Sequence, residues 1–253
     1  MNSVRPTISA ILITKNEAHN LGDCLAGLRW CDEVVVVDSG STDGTLEIAR
    51  AAGAKVTVFN DWPGFGPQKN RALDLATSDW IFSIDADERV DDTLAEEIRD
   101  AVLNASIVGY DIPRRSLFVG RYMRHGGWWP DRVLRLARRS HARFTEHRVH
   151  ERLVVDGEVA SLRSPLSHLS YRDFDSVLAK LNRYSTDGAH DLRARGKHAS
   201  ISSAIGHAFW AFIRTYIVKR GFLDGRYGFL LAVVNAQTSF WKYVKLSEPI
   251  RDI

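Results

Sequence analysis

Apolar positions in the first hundred residues follow two alternating rhythms. "ISAILI" at 8–13 is a short unbroken apolar run suited to a strand buried on both faces, and "EVVVVD" at 33–38, "KVTVF" at 55–59 and "WIFSIDAD" at 80–87 read as the second, third and fourth strands. Helical stretches stand between them. Leu21, Leu25 and Leu28 make a stripe up to Arg29, "TLEIARAAG" stops at Gly53, "GPQKNRALDLA" turns Leu73 and Ala76 inward, and a fourth helix runs from about Thr93 to Leu103. Strands alternating with helices of this length predict an α/β fold, a doubly wound and mostly parallel sheet with right-handed crossovers.

From Ser106 the rhythm changes. "VGYDIP", "VLRLARR" and "VHERLVVDGEVASL" read as further strands, the last as a hairpin about Asp156-Gly157. From Asp173 onward the pattern is helical, punctuated by Gly196 and Gly221. The expected organisation is an α/β domain over 1–172, in halves 1–105 and 106–172, followed by a helical region over 173–253.

Composition alone, with 45% apolar and 26% charged residues, is that of an ordinary soluble globular protein. Charge distribution says more. Residues 1–110 hold 9 Lys+Arg against 18 Asp+Glu, and residues 111–253 hold 25 against 13. An acidic half suited to a cation is joined to a basic half suited to phosphates or an anionic surface. Cys24 and Cys31 form neither a disulfide framework nor a metal-ligand spacing, which points to a reducing compartment. "TISAILITKNE" reads as a first strand rather than a signal peptide, and no run reaches the ~18–20 apolar residues that span a bilayer.

Chemistry is concentrated where strands end, the edge at which open parallel sheets bind ligands. The second strand runs into "DSGSTDGT", with Asp38 and Asp43 bracketing Gly40 and Gly44. A dinucleotide fold needs its glycine-rich turn after the first strand, but "TKNEAHN" stands there, and no phosphate loop of the Gly-x4-Gly-Lys-Ser/Thr type is present. The fourth strand ends in "SIDADE". There Asp85 and Asp87 can both turn toward a magnesium or manganese ion whose shell substrate oxygens would complete; the alternative is a solvated acidic turn at a helix start. Val90 stands where a calcium loop of the EF-hand kind needs glycine, and Arg89 where an Asp-x-Asp-x-Thr phosphatase needs threonine.

Together, "ILITKNEAHNL", "VVVVDSGSTDGT" and "QKNRALDLATSDWIFSIDADE" resemble the nucleotide-sugar domain of family-2 inverting glycosyltransferases of the GT-A fold. Downstream, "GGWWPDRVLRLARR", "VHERL", "LSHLSY" and "KLNRYS" resemble the branch that glucosylates the inner core of bacterial lipopolysaccharide. The resemblance implies a GT-A-like α/β enzyme that moves a sugar, most simply glucose, from a UDP-sugar to a lipid-linked glycan with a divalent metal (Mg or Mn). Thr14, Asn16, Glu17 and Asp38 match the positions that cup the nucleoside, with Ser39 and Gly40 allowing close backbone approach. Asp43 either joins them or caps the next helix. Lys69 and Asn70 match the donor-contacting helix, Lys69 being otherwise a solvated helix lysine. Asp85 and Asp87 match the Asp-x-Asp motif, Asp87 as the direct metal ligand. His168 is placed for a third metal or diphosphate contact, or is a structural histidine. Trp128 and Trp129 either pack internally or stack on a sugar.

The sequence departs from the family at the base. Neither a Glu-Asp pair after the acceptor strands nor a Gln-x-x-Arg-Trp motif is present. The carboxylates in the right stretch are Asp131, Glu146 and Glu151, and Glu151, flanked by Arg148 and Arg152 at the start of an apolar strand, is the expected base. In the last third, aromatic and aliphatic residues recur beside Arg214, Lys219, Arg220, Lys242 and Lys245. That pattern suits an anionic membrane surface at the cytoplasmic face, or else a packed hairpin or homo-oligomer contact. No nucleic-acid module accompanies the basic residues. A nucleotidyltransferase and a non-catalytic sugar-binding protein are the alternatives to a glycosyltransferase.

Overall fold

The computed structural model describes residues 5–146 and 151–248. Contacts group the chain into two compact units, one of residues 1–114 and 132–168, the other of residues 115–131 and 169–253.

The first unit carries the alternation expected of it. Strands β1 (Ile8–Thr14), β2 (Glu33–Asp38), β3 (Lys55–Val58) and β4 (Trp80–Ser83) pair in parallel, in the order β3-β2-β1-β4. Their connections are helices α1 (Ala18–Ala26), α2 (Thr45–Ala51) and α3 (Phe65–Leu75), and α4 (Asp92–Ala101) follows β4. Successive strand residues point to opposite faces. Ile8, Ala10 and Leu12 therefore join Leu21, Ala49, Leu94 and Ile98 in one buried cluster, while Ile11, Val35 and Val37 join Ala72 and Leu73 in the other. A strand buried on both faces has no polar side to keep, which is why β1 reads as an unbroken apolar run, whereas β3, at the edge of the sheet, keeps Lys55 and Val58 exposed. The α4 start is sharply defined, because the Asp91 side chain accepts a hydrogen bond from Leu94 N.

The rest of the sheet mixes directions. It runs on from β4 through β8 (Asp131–Arg138), β6 (Gly109–Phe118) and β12 (Leu166–Tyr171) to the two-residue β5 (Glu88–Arg89), with β7 (Arg121–Tyr122) and β11 (Val159–Ser161) attached to β6. The β4–β8 and β5–β12 pairs are antiparallel. The fourth expected strand is thus shorter than its apolar run: β4 ends at Ser83, and the aspartates lie in a turn closed by Glu88 N donating to Asp85 O at 2.9 Å.

The expected hairpin about Asp156-Gly157 does not form. Instead β10 (Leu153–Val155) pairs antiparallel with β9 (Ala142–Phe144), and β11 pairs parallel with β6. Asp156 N reaches back to His141 O, whereas Glu158 O accepts from Val108 N. Each arm thus satisfies its backbone polar groups against a different strand, β9 or β6.

In the second unit, α5 (Phe174–Ala194), α6 (Ile201–Ile213) and α7 (Gly225–Ser247) are long helices, with α7 packed against both others. Asp173 opens α5 with a reciprocal capping box to Ser176. Trp128 is core here, stacked on Tyr171 at 5.7 Å and edge-on to Phe118, while Trp129 is exposed. Asp224 is buried and accepts from the backbone N–H groups of Arg124 and His125 at 3.0 and 2.8 Å. Among the described residues no helix is long and apolar enough to cross a membrane.

Candidate active site

The carboxyl ends of β1 and β2 are tied together by side chains. Asp38 is fully buried and accepts from Thr14 Oγ1 at 2.7 Å, Ser41 N at 2.7 Å and Ser41 Oγ at 2.6 Å. Thr14 and Asp38 are also register partners across the two strands, so the bond closes the end of the sheet. Asn16 has a left-handed backbone (φ 55°); its N–H donates to Ser41 Oγ and its side-chain oxygen accepts from Thr42 N, both at 2.8 Å. Glu17 N donates to Thr45 Oγ1, and the Glu17 carboxylate accepts from Asn20 Nδ2. The two loops therefore form one hydrogen-bonded rim.

Ser39 and Gly40 lie within that rim. Ser39 Oγ accepts from buried Gln68 at 3.0 Å, and Gly40 holds φ at +78°, a conformation that a side chain would strain. Asp43 accepts from Ala18 N and from the backbone and hydroxyl of Thr45, so it ties the starts of α1 and α2 together. The Thr45 hydroxyl holds the Asp43 carboxyl below its usual range.

The second cluster sits at the end of β4. Asp85 Oδ2 accepts from Arg135 Nη2 at 2.7 Å, and Asp85 Oδ1 lies 3.3 Å from Lys69 Nζ. Burial opposes its ionisation, yet the Arg135 and Lys69 charges keep the Asp85 carboxyl well below the usual carboxylate range. Lys69 also reaches Glu151 Oε1 at 3.1 Å. On the far side, Arg135 contacts Glu88 Oε1 at 2.7 Å, and Arg114 approaches the same oxygen at 3.5 Å. Glu88 has no exposed surface; burial pushes its carboxyl up while the Arg135 charge pulls it down. The other Glu88 oxygen accepts from Asp85 N at 3.0 Å. A continuous chain of alternating charge thus runs Glu151–Lys69–Asp85–Arg135–Glu88.

Asn70 holds the wall of this cluster. Its amide donates to Phe144 O and accepts from Phe144 N, at 3.0 and 2.9 Å, which fixes the Phe144 ring near the Lys69 ammonium. Both polar ends of Asn70 are thereby used by the backbone of β9.

Asp87 stands two residues on from Asp85, in the same turn. Its Oδ2 is 3.2 Å from His168 Nε2, both side chains are partly exposed, and β12 brings them together by pairing His168 with Glu88. A carboxylate and an imidazole that close suit a divalent cation, provided the ring is neutral. Among the described residues no three His, Cys, Asp or Glu side chains form a closed metal shell. The donor set fits an ion held on one side by Asp87 and His168 and open on the other to substrate oxygens, the coordination that magnesium and manganese accept.

Of the other carboxylates weighed for the base, Glu146 is exposed, and Arg132, rather than pairing with Asp131, bonds Asp111 at 2.7 Å. Glu151 meets Lys69 instead of the arginine after it; Arg148 and His150 lie outside the described residues. Sequence reasoning missed Arg135, Glu88 and Arg114. The available signal was an arginine set inside the apolar "VLRLA" run, a place that a side chain takes only with a buried partner.

Comparison with known proteins gives the same family. The family model described as "Glycosyl transferase family 2" matches residues 9–155. The lipopolysaccharide core biosynthesis glycosyltransferase LpsC of Rhizobium meliloti is 34% identical over 251 residues, covering 94% of this chain and 91% of its own. An uncharacterized glycosyltransferase of Rickettsia felis is 31% identical, covering 96% and 90%. Among solved structures, Staphylococcus aureus TarS (residues 1–349, with UDP-GlcNAc) is 26% identical over 46% of this chain and 36% of its own, with a TM-score of 0.41. Glucosyl-3-phosphoglycerate synthase of Mycobacterium tuberculosis, solved with Mn2+, UDP and glucosyl-3-phosphoglycerate, is 27% identical over 44% of each chain, with a TM-score of 0.36.

Proposed function

The chain belongs to glycosyl transferase family 2, and on that premise we propose that this glycosyltransferase moves glucose from UDP-glucose to a lipid-linked glycan of the lipopolysaccharide inner core, with inversion at the anomeric carbon. The observation that carries the reading is the pair of clusters at one sheet edge: a hydrogen-bonded rim around Asp38, and Asp85 and Asp87 beside Lys69 and His168.

Within this reading, Thr14, Asn16, Glu17, Asp38, Ser39 and Gly40 form the nucleoside cup. Lys69 supplies positive charge to the diphosphate, and Asp85 holds Lys69 in place. Asp87 and His168 hold a divalent cation, which would neutralise charge growing on the departing diphosphate. Glu151 accepts the proton of the attacking acceptor hydroxyl, and its contact with Lys69 positions it beside the leaving group's countercharge.

An acceptor at the inner face of the cell membrane agrees with the helical unit. Residues 197–247 carry seven Lys+Arg and a single carboxylate, Asp224, which is buried. Ile201, Ile205 and Phe209, one turn apart along α6, are exposed, as are Ile217, Val218 and Phe222. Basic residues among exposed apolar ones are what a peripheral protein offers to anionic lipid.

The test is incubation with UDP-glucose, manganese and a truncated lipopolysaccharide acceptor, following UDP release and acceptor mass. Acceptor-dependent UDP release with a hexose added to the lipid is the expected result. Pyrophosphate release from UTP and a sugar phosphate would transfer the site to nucleotidyl transfer.

A further inference from the structure

The helical unit contains a groove of about 560 Å³ lined by residues of α5, of α6 and the turn after it, and of α7. No carboxylate lines it. Arg214 and Lys242 do, together with the hydroxyls of Tyr184, Thr238 and Ser239 and a His207–Tyr243 pair stacked at 3.9 Å with nearly parallel rings. Among the described residues neither Arg214 nor Lys242 meets a carboxylate, whereas other cations of this unit are engaged, as Lys245 is by Asn182, Ser185 and Thr186.

Two details show that the groove shapes the lysine. A Cβ at Gly188, in the middle of α5, would lie 2.8 Å from Lys242 Cδ, so glycine leaves the space the lysine stem crosses. Glycine inside a helix costs about 1 kcal/mol relative to alanine, which helix propensity alone would select against. The Lys242 ammonium then rests 4.9 Å from the Tyr243 ring, half-buried, and burial lowers its pKa. A cation desolvated without a protein anion is an unfavourable arrangement until an anion arrives.

We propose that this groove binds the phosphomonoester headgroup of an anionic membrane lipid. Arg214 and Lys242 would neutralise the phosphate, the hydroxyls would accept and donate around it, and the His207–Tyr243 stack would cover the adjoining sugar or glycerol. Placing the lipid-linked acceptor there rests on the membrane reading given above, but headgroup binding itself needs neither donor nor metal.

Flotation of the full chain with phosphatidylcholine vesicles tests this, comparing phosphatidic acid with phosphatidylglycerol at matched surface charge and without nucleotide or metal. The parent should prefer phosphatidic acid. Arg214→Met with Lys242→Met should lose about tenfold in affinity for it, the scale of a charge-assisted hydrogen bond, whereas Lys197→Gln with Arg226→Gln, which removes equal charge outside the groove, should keep the preference. Gly188→Leu, which fills the groove without changing charge, should lose the preference while melting cooperatively. Equal loss in both charge doubles, or no preference in the parent, would show diffuse attraction and overturn the site. Stabilisation by inorganic phosphate without vesicle binding would assign the groove to a soluble phosphate instead, and dimers broken by the Arg214/Lys242 double would assign it to a second copy. Asp87→Asn separates the two readings: it should retain vesicle binding and lose transfer.

Discussion

Lys69 and Glu151 are paired at 3.1 Å, joining α3 to the carboxylate just ahead of β10. Lys69 is nearly buried, and its second contact is Asp85, so one ammonium links the expected base to the Asp-x-Asp turn. Glu151→Gln keeps the shape and can still accept a hydrogen bond from Lys69 but cannot take a proton. Transfer should fall by about two orders of magnitude or more, while UDP-glucose still raises the melting temperature as in the parent. Near-normal transfer by this variant, with Asp131→Asn inactive, would move the role to Asp131.

Asp87 and His168 are the two expected metal ligands that the structure sets side by side, 3.2 Å apart, while Asp85 is engaged by Arg135 and Lys69. Asp87→Asn should fold normally, lose most turnover and lose the manganese-dependent part of stabilisation by UDP-glucose. His168→Ala should raise the manganese concentration for half-maximal activity about tenfold or more. Unchanged manganese titrations in both variants would sink the two-ligand reading.

How far the sequence foretold these sites depended on whether a feature is local. β1, β2 and the start of β4 were legible because strands buried on both faces have no polar positions to obscure them, and Asp38, Asp85 and Asp87 followed as strand ends. The partners were not legible. Arg135 comes from β8 and His168 from β12, and only the sheet order sets them against the β4 turn. The β9–β10 pair was hidden for the same reason: β9 spans only Ala142–Phe144, too short for its alternation to stand out, and β10 pairs with it rather than with the nearer "VAS". Asn70 illustrates a third case. Its match to a donor-contacting position was visible, but not that both ends of its amide hold Phe144.

Glu33, at the opposite end of β2 from Asp38, sets an acid limit on stability. Burial pushes its carboxyl up, but hydrogen bonds from Lys55, Ser9 and Thr77 outweigh this and hold it at about 2, below its ordinary 4.5. A carboxyl whose folded pKa is depressed adds stability above its unfolded pKa and loses it as pH falls toward the folded value. The window here is therefore pH 4.5 down to 2. Glu33→Gln should cost about 1–2 kcal/mol at pH 7, allowing for the exposed Lys55, and little once the pH has fallen through 2. Urea titrations at pH 7 and below pH 3 measure this, and a cost that persists unchanged at the lower pH would contradict it.

Arg135 should be the most sensitive residue of the site for stability. It is 5% exposed and joins Asp85 to Glu88, and Glu88 is fully buried with Arg114 as its other cation, at a looser 3.5 Å. Removing one partner of a buried pair costs about 3–5 kcal/mol, because the remaining charge stays out of water without compensation. In Arg135→Met the volume is kept and Glu88 is left with that looser contact. The melting temperature should fall by roughly 10 °C, at 2–4 °C per kcal/mol for a chain of this size. Adding Glu88→Gln should recover much of the loss, since the uncompensated charge is then gone, and the double-mutant cycle gives the coupling directly. A single Arg135→Met variant melting with the parent, or a double variant no more stable than the single, would mean that the buried pair is not what holds the Asp-x-Asp turn in place.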